Sequence, residues 1–170
     1  MIRTFKHTEL SDEIRGKINS CIHDEFGHIP IVAETEWANP DWTIVYYEGS
    51  EIAMFYNIVE REVDIDGKAY KAGGVNNVIT PKAFRGKGHA SKVLKSTAQF
   101  LFNDLSCDMG LLLCADNLIP FYKRLNWYTV DCPVYFSQSS GRKLWTANTM
   151  LLSKTEKLVP REIDLKGLPW

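Results

Sequence analysis

The chain has no Cys-x-x-Cys pair, no long apolar run and a formal net charge of only −1. Each of these absences excludes something. The four cysteines, Cys21, Cys107, Cys114 and Cys132, are widely spaced. A chain of this length needs no covalent staple, so free thiols in a reducing compartment are expected. The four histidines, His7, His23, His28 and His89, are scattered, and the five-residue spacing of His23 and His28 does not share a helical face well. No metal site is expected. The longest apolar runs, such as Met109 to Ala115, fall far short of the roughly 20 residues that cross a bilayer. The start, Met1-Ile2-Arg3-Thr4-Phe5-Lys6, has no apolar stretch of signal-peptide length, so a cytoplasmic protein with no membrane partner is expected.

What is present is an ordinary globular composition, 45% hydrophobic, 24% charged and 12% aromatic over 170 residues. That excludes a disordered, collagenous or coiled-coil chain, and residues 1–170 read as one domain. The small net charge hides an asymmetry. Residues 1–66 hold 14 acids against 5 lysines and arginines, a balance of −9; residues 67–170 hold 7 acids against 15, a balance of +8. The plain reading is two solvated surfaces of different composition. The sharper one is that the basic half faces an anionic ligand and the acidic half a cationic one. Without a clear basic excess, no nucleic-acid partner is expected.

Ser11-Asp12-Glu13 opens a helix: Ser11 can cap it, and the acids suit the positive end of its dipole. Ile14, Ile18, Ile22 and Phe26 repeat every four residues, and Gly27-His28-Ile29-Pro30 stops the helix. Ile31 to Asp41 reads as a short helix or ordered loop. Strands follow at Trp42–Tyr47, Ile52–Ile65 and Lys68–Thr80, with a hairpin signal at Asp66-Gly67. Gly73-Gly74 marks a bulge or a close backbone approach. From Gly88, the positions Ala90, Val93, Leu94, Ala98, Leu101 and Leu105 have helical spacing. Gly110 to Ala115 reads as a strand buried on both faces. Asp116-Asn117 can cap a helix over Leu118–Leu125. Further strands are expected at Trp127–Val130, Val134–Ser137 and Asn148–Leu152, then an irregular polar tail from Ser153. The order is that of an α+β fold, a mixed α/β protein with helices on the faces of one sheet.

The segment that carries chemistry runs from Val78 through Ile79, Thr80, Pro81, Lys82, Ala83, Phe84, Arg85, Gly86, Lys87, Gly88 and His89 to Ala90. A strand delivers the chain to a glycine-containing turn that opens a helix. Small residues at Gly86, Gly88 and Ala90 let a ligand approach the backbone, and the unpaired first amides of the helix favour an anion. Arg85 and Lys87 add positive charge. This reads as a phosphate or pyrophosphate cradle. A Walker A loop needs Gly-Lys-Ser/Thr, but Lys87 precedes Gly88-His89. A Rossmann fingerprint needs a third glycine where Ser91 stands.

Arg85-Gly86-Lys87-Gly88-His89-Ala90 resembles the Gln/Arg-x-x-Gly-x-Gly/Ala signature of the GNAT superfamily of acetyl-CoA-dependent N-acetyltransferases. Pro120-Phe121-Tyr122-Lys123-Arg124-Leu125-Asn126-Trp127 resembles that superfamily's second motif, a short helix bearing a tyrosine and ending at Gly-Phe or Gly-Trp. Here Asn126 replaces the glycine; asparagine also tolerates the left-handed conformation of a helix end. The resemblance covers roughly residues 40–152. It implies the GNAT fold, a central mixed and mostly antiparallel sheet flanked by helices. Within the superfamily, the stretch from Gly110 through Tyr122 to Trp127 looks like the strand-to-helix connection of aminoglycoside 2′-N-acetyltransferases, whose strand carries a carboxylate where this chain has Asn76.

The resemblance implies roles. Backbone groups of Val78, Ile79 and Thr80 pair with the pantetheine arm of acetyl-CoA. Amides of Arg85, Gly86, Lys87, Gly88, His89 and Ala90 bind the pyrophosphate, and Asn117 touches the cofactor. Tyr122 protonates or hydrogen-bonds the leaving thiolate; the alternative is a packing residue. The base stays open. Asn76 and Asn77 can hold a water but cannot take a proton. Glu60, Glu62, Asp24, Glu25 and His28 are the alternatives. The acidic half suggests a cationic amine acceptor: a polyamine, an amino sugar or a lysine-bearing peptide. The rival readings are a catalytically silent acyl-CoA-binding sensor and a nucleotide-binding regulatory domain. Trp145 and Leu168-Pro169-Trp170 can pack at a homodimer seam or in the core.

Overall fold

The computed structural model describes residues 1–170. Strand β1 (Ile2–Lys6) leads to helix α1 (Asp12–Phe26) and helix α2 (Pro30–Glu34). The Ser11 hydroxyl accepts the Ile14 N–H at 3.3 Å, the cap its sequence suggests. The apolar stripe of α1 lies on the sheet, where Ile18 is buried among Leu10, Val45, Phe55 and Ile79. Strands β2 (Trp42–Glu48), β3 (Glu51–Ile65) and β4 (Lys68–Ile79) form an antiparallel meander. Asp66 and Gly67 both have left-handed φ, +54° and +82°, as a two-residue hairpin requires.

After β4 comes an interrupted helical run: α3 (His89–Leu94), α4 (Thr97–Gln99) and a wider π turn over Phe100–Asp104. Its apolar positions face the sheet, with Val93, Leu94 and Leu101 buried. This run carries the chain to β5 (Met109–Cys114), parallel to β4. A 3-10 turn at Asp116–Leu118 and helix α5 (Ile119–Lys123) follow, shorter than the expected Leu118–Leu125. Asp116 does not cap the turn; its carboxylate accepts the Asn148 side-chain amide. The remaining strands are β6 (Tyr128–Val130), β7 (Val134–Gln138), β8 (Gly141–Leu144), β9 (Asn148–Ser153) and β10 (Ile163–Asp164). All ten belong to one mainly antiparallel sheet in the order β6-β9-β5-β4-β3-β10-β7-β8, with β2 and then β1 branching from β3. The expected α+β class and helix-flanked sheet are what is found.

Two apolar layers cover the sheet. One packs Ile58, Val75, Leu112 and Met150 against the helical run and α5. The other packs Val63, Leu111, Leu151 and Trp170. The tail therefore departs from the expected irregular course: β10 joins the sheet, and Leu165 and Trp170 are buried. The Trp170 indole lies over Gly74 and donates to the Leu111 carbonyl at 3.2 Å. Trp170 is thus core, and the half-buried Trp145 packs on Trp37 and Phe136 of the same chain. Gly73-Gly74 is a close approach and not a bulge, because register with β3 is unbroken there. A Cβ on Gly73 would meet Leu101 at 2.3 Å, and one on Gly74 would meet Trp170 at 2.1 Å.

Candidate active site

The bulge lies further along β4. Asn57 of β3 pairs with Asn76, but the next pair is Phe55 with Ile79, so β4 holds one extra residue there. Asn77 absorbs the kink with φ +49°. Pairing of β4 with β5 ends at Val75–Leu112, while β5 continues along β9 to Cys114. Beyond the parting of these parallel strands lies a cleft of about 460 Å³. Val78, Ile79 and Thr80 line one wall, and Leu118, Phe121 and Tyr122 line another. The turn contributes Phe84, Arg85, Gly86, Gly88, His89, Ala90 and Ser91, and α1 contributes Glu25. Lys87 and Asn117, both expected at the cofactor, are not in the lining: Lys87 points to Glu48, and Asn117 is exposed on the turn before α5.

The turn has the shape its glycines permit. Gly86 and Gly88 have φ of +78° and +76°, with nothing within 4 Å of where a Cβ would stand. The helix then starts at His89, whose first N–H groups have no partner within the helix. At the other motif, Asn126 has φ +67° and closes α5, as the glycine it replaces would. Its N–H donates to Lys123 and that of Trp127 to Tyr122, each at 3.2 Å.

The cations of the turn are already engaged. Arg85 donates through Nε to the Thr80 carbonyl at 2.9 Å and through Nη2 to Glu25 at 2.6 Å. Lys87 donates to Glu48 at 3.2 Å, and His89 Nε2 lies 2.9 Å from the same carboxylate. The Lys87 hydrogen bond leads in holding the Glu48 carboxyl below its ordinary range; burial opposes it and His89 adds to it. The acidic half thus spends two carboxylates on the basic turn, a use its composition did not suggest.

Tyr122 is buried and packs edge-on against Phe121 and Trp127. Burial, with Cys114 nearby, pushes its phenol up, so it keeps its proton at neutral pH. Burial also pushes the Cys114 thiol up to about 11, which leaves no thiolate nucleophile at the end of β5. Among the suggested bases, Glu60 is occupied: it accepts the Trp42 indole N–H at 2.6 Å and pairs with Lys71 at 2.8 Å. Burial alone would raise its carboxyl, but those two partners outweigh it and hold it low. Glu25 is bound to Arg85, and Asp24, His28 and Glu62 are exposed outside the cleft.

A polar row absent from the sequence reading crosses the sheet beside the bulge. Thr43 donates to Asn57 Oδ1 at 2.8 Å, and His7 Nδ1 lies 2.8 Å from the same hydroxyl. Asn76 stands opposite Asn57, and its Oδ1 is buried without a partner. Such an unpaired acceptor costs about 1–3 kcal/mol. Its signal was the Asn76-Asn77 pair itself, two residues that strands disfavour. No cluster of three or more His, Cys, Asp or Glu side chains could hold a metal, and no helix is long and apolar enough to cross a membrane.

Parallel strands that part beside a glycine turn at a helix start, on a curled and mainly antiparallel sheet, define the fold class of the GNAT acetyltransferases. The chain belongs to that family: residues 2–130 match the family described as an acetyltransferase (GNAT) domain. The fold is similar to that of ElaA from Escherichia coli, with TM-score 0.62 and 12% identity over 90% of this chain and 99% of that one. It is similar to YhbS from Escherichia coli, solved in complex with CoA, with TM-score 0.62 and 12% identity over 98% of this chain and 89% of that one. A GCN5-related N-acetyltransferase from Kribbella flavida matches at TM-score 0.56 and 13% identity over 76% of this chain but only 34% of its own. No curated protein matches in sequence. At these identities the structural likenesses speak for the fold alone.

Proposed function

We propose that this chain is a one-domain cytoplasmic N-acetyltransferase that moves an acetyl group from acetyl-CoA to a primary amine of a cationic small molecule, by direct attack in a ternary complex. The observation that carries the reading is that the glycine turn, the end of β4 that β5 leaves unpaired and Tyr122 line one cleft. The turn's amides, from Arg85 to Ala90, suit the pyrophosphate. The backbone of Val78 to Thr80, unpaired by β5, suits a pantetheine arm laid alongside as an added strand. The amine nitrogen attacks the thioester carbon, the C–S bond breaks, and the thiolate takes a proton from Tyr122. The proton lost by nitrogen passes to a water, which Asn76 can hold but not deprotonate, and Tyr122 regains its proton from solvent. Asn117 has no role in this reading. With Glu25 and Glu48 matched, the first 66 residues still carry a surplus of acids, which favours a cationic acceptor.

One observation favours a second reading. No carboxylate in the cleft is free to act as base, which suits a silent acyl-CoA-binding domain of the same fold. Release of free CoA from acetyl-CoA separates the two, with spermidine, kanamycin and a lysine-bearing peptide as acceptors. The enzyme reading expects amine-dependent release that weakens with added salt. CoA binding without release from any amine would favour the sensor.

A further inference from the structure

The turn is gripped from two sides by carboxylates, and the two grips differ in place. Glu48, at the end of β2, holds Lys87 and His89; neither Glu48 nor Lys87 lines the cleft, whereas His89 does. The His89 ring is nine-tenths buried and lies 5.0 Å from Tyr46, so the contact reaches into the packed layer. Glu25 and Arg85 meet inside the cleft, 2.6 Å apart, and both stay partly exposed. One carboxylate lies outside the cleft lining and holds two residues of the turn. The other lies in the cleft and occupies the Arg85 guanidinium.

We propose that Glu48 is a positioning residue that holds the turn in its anion-binding shape, and that Glu25 is a latch that competes with the cofactor's phosphates for Arg85. The proposal rests on the reading of the cleft as a CoA site. Binding of the anion then exchanges one salt bridge for another: Arg85 swings from the Glu25 carboxylate to a phosphate oxygen, and Glu25 is released to water. Glu48 exchanges nothing. It keeps Gly86 and Gly88 in their left-handed conformations before the ligand arrives, which lowers the ordering cost of binding.

Two isosteric variants test this with one ligand, CoA, by calorimetry at two ionic strengths. Simple charge repulsion predicts that Glu25→Gln and Glu48→Gln both tighten CoA, since each removes a negative charge near an anion. A purely structural role predicts that both weaken it. The proposal predicts opposite signs. Glu25→Gln should tighten CoA by about two- to fivefold, the worth of one exposed ion pair, and more at low salt. Glu48→Gln should weaken it by about threefold or more. Amide hydrogen exchange over 86–90 should quicken in Glu48→Gln and stay unchanged in Glu25→Gln. Equal signs, or no change in either variant, would overturn the proposal while leaving the CoA site standing. A parent protein that binds no CoA would overturn the site and the proposal together.

Discussion

The two halves of β4 are built for different ends. From Lys68 to Val75 the strand is paired with β3 throughout and, from Ala72, with β5 as well. Its glycines admit Leu101 on one face and Trp170 on the other. From Asn76 the strand loses β5, gains a residue, kinks at Asn77 and leaves an amide oxygen without a partner. The first half maximises contact; the second gives contact up and opens the cleft. The same layer of sheet is tight on one side of Val75 and ligand-ready on the other, and the change costs the sequence two asparagines.

The sharpest way to break the contrast is Gly74→Ala. The new methyl would stand 2.1 Å from the Trp170 ring, so either the tail leaves its seat or the strand shifts. Thermal or denaturant unfolding should show a loss of about 3 kcal/mol, the upper range for overpacking. A smaller step tests the other half. Tyr122→Phe keeps the ring between Phe121 and Trp127 and removes only the hydroxyl. It should lower kcat at least about tenfold, or about 1.4 kcal/mol in the transition state, with the melting temperature nearly unchanged. Because burial pushes the phenol up, the parent's kcat should hold to about pH 10, where an ordinary phenol is half ionised. A parental rate in the Phe variant would remove Tyr122 from the chemistry. A pair of variants probes the kink, and its glycine member has the smallest effect. Asn77→Gly should leave stability within about 0.5 kcal/mol, since glycine adopts positive φ freely. Asn77→Val should cost about 1–2 kcal/mol, as measured by chemical unfolding.

Much of this was legible in the sequence where local chemistry is strong. The capped α1, the Asp66-Gly67 hairpin, the buried β5 and the turn after β4 follow from periodicity, caps and glycines. Nine of the eleven expected site residues, all but Lys87 and Asn117, line one cleft. What escaped is what depends on distant partners. The paired glycines announced a special backbone, but only the seat of Trp170, 96 residues on, tells a close approach from a bulge. Edge strands β1 and β8 bury no residue fully, so no alternating pattern marked them. The charge asymmetry was visible; that Glu25 and Glu48 would fold back onto Arg85, Lys87 and His89 was not, because those pairs join residues 39 to 60 apart.

The CoA site is tested most sharply by titrating 15N-labelled protein with CoA and following it amide by amide. The largest shifts should fall on Gly86 to Ala90 and on Val78 to Thr80, the two stretches that meet in the cleft. A second cleft, of about 310 Å³ between Arg3, Lys17 and Tyr47, serves as the internal control. Shifts centred there, or no shift at either stretch at saturating CoA, would contradict the CoA site.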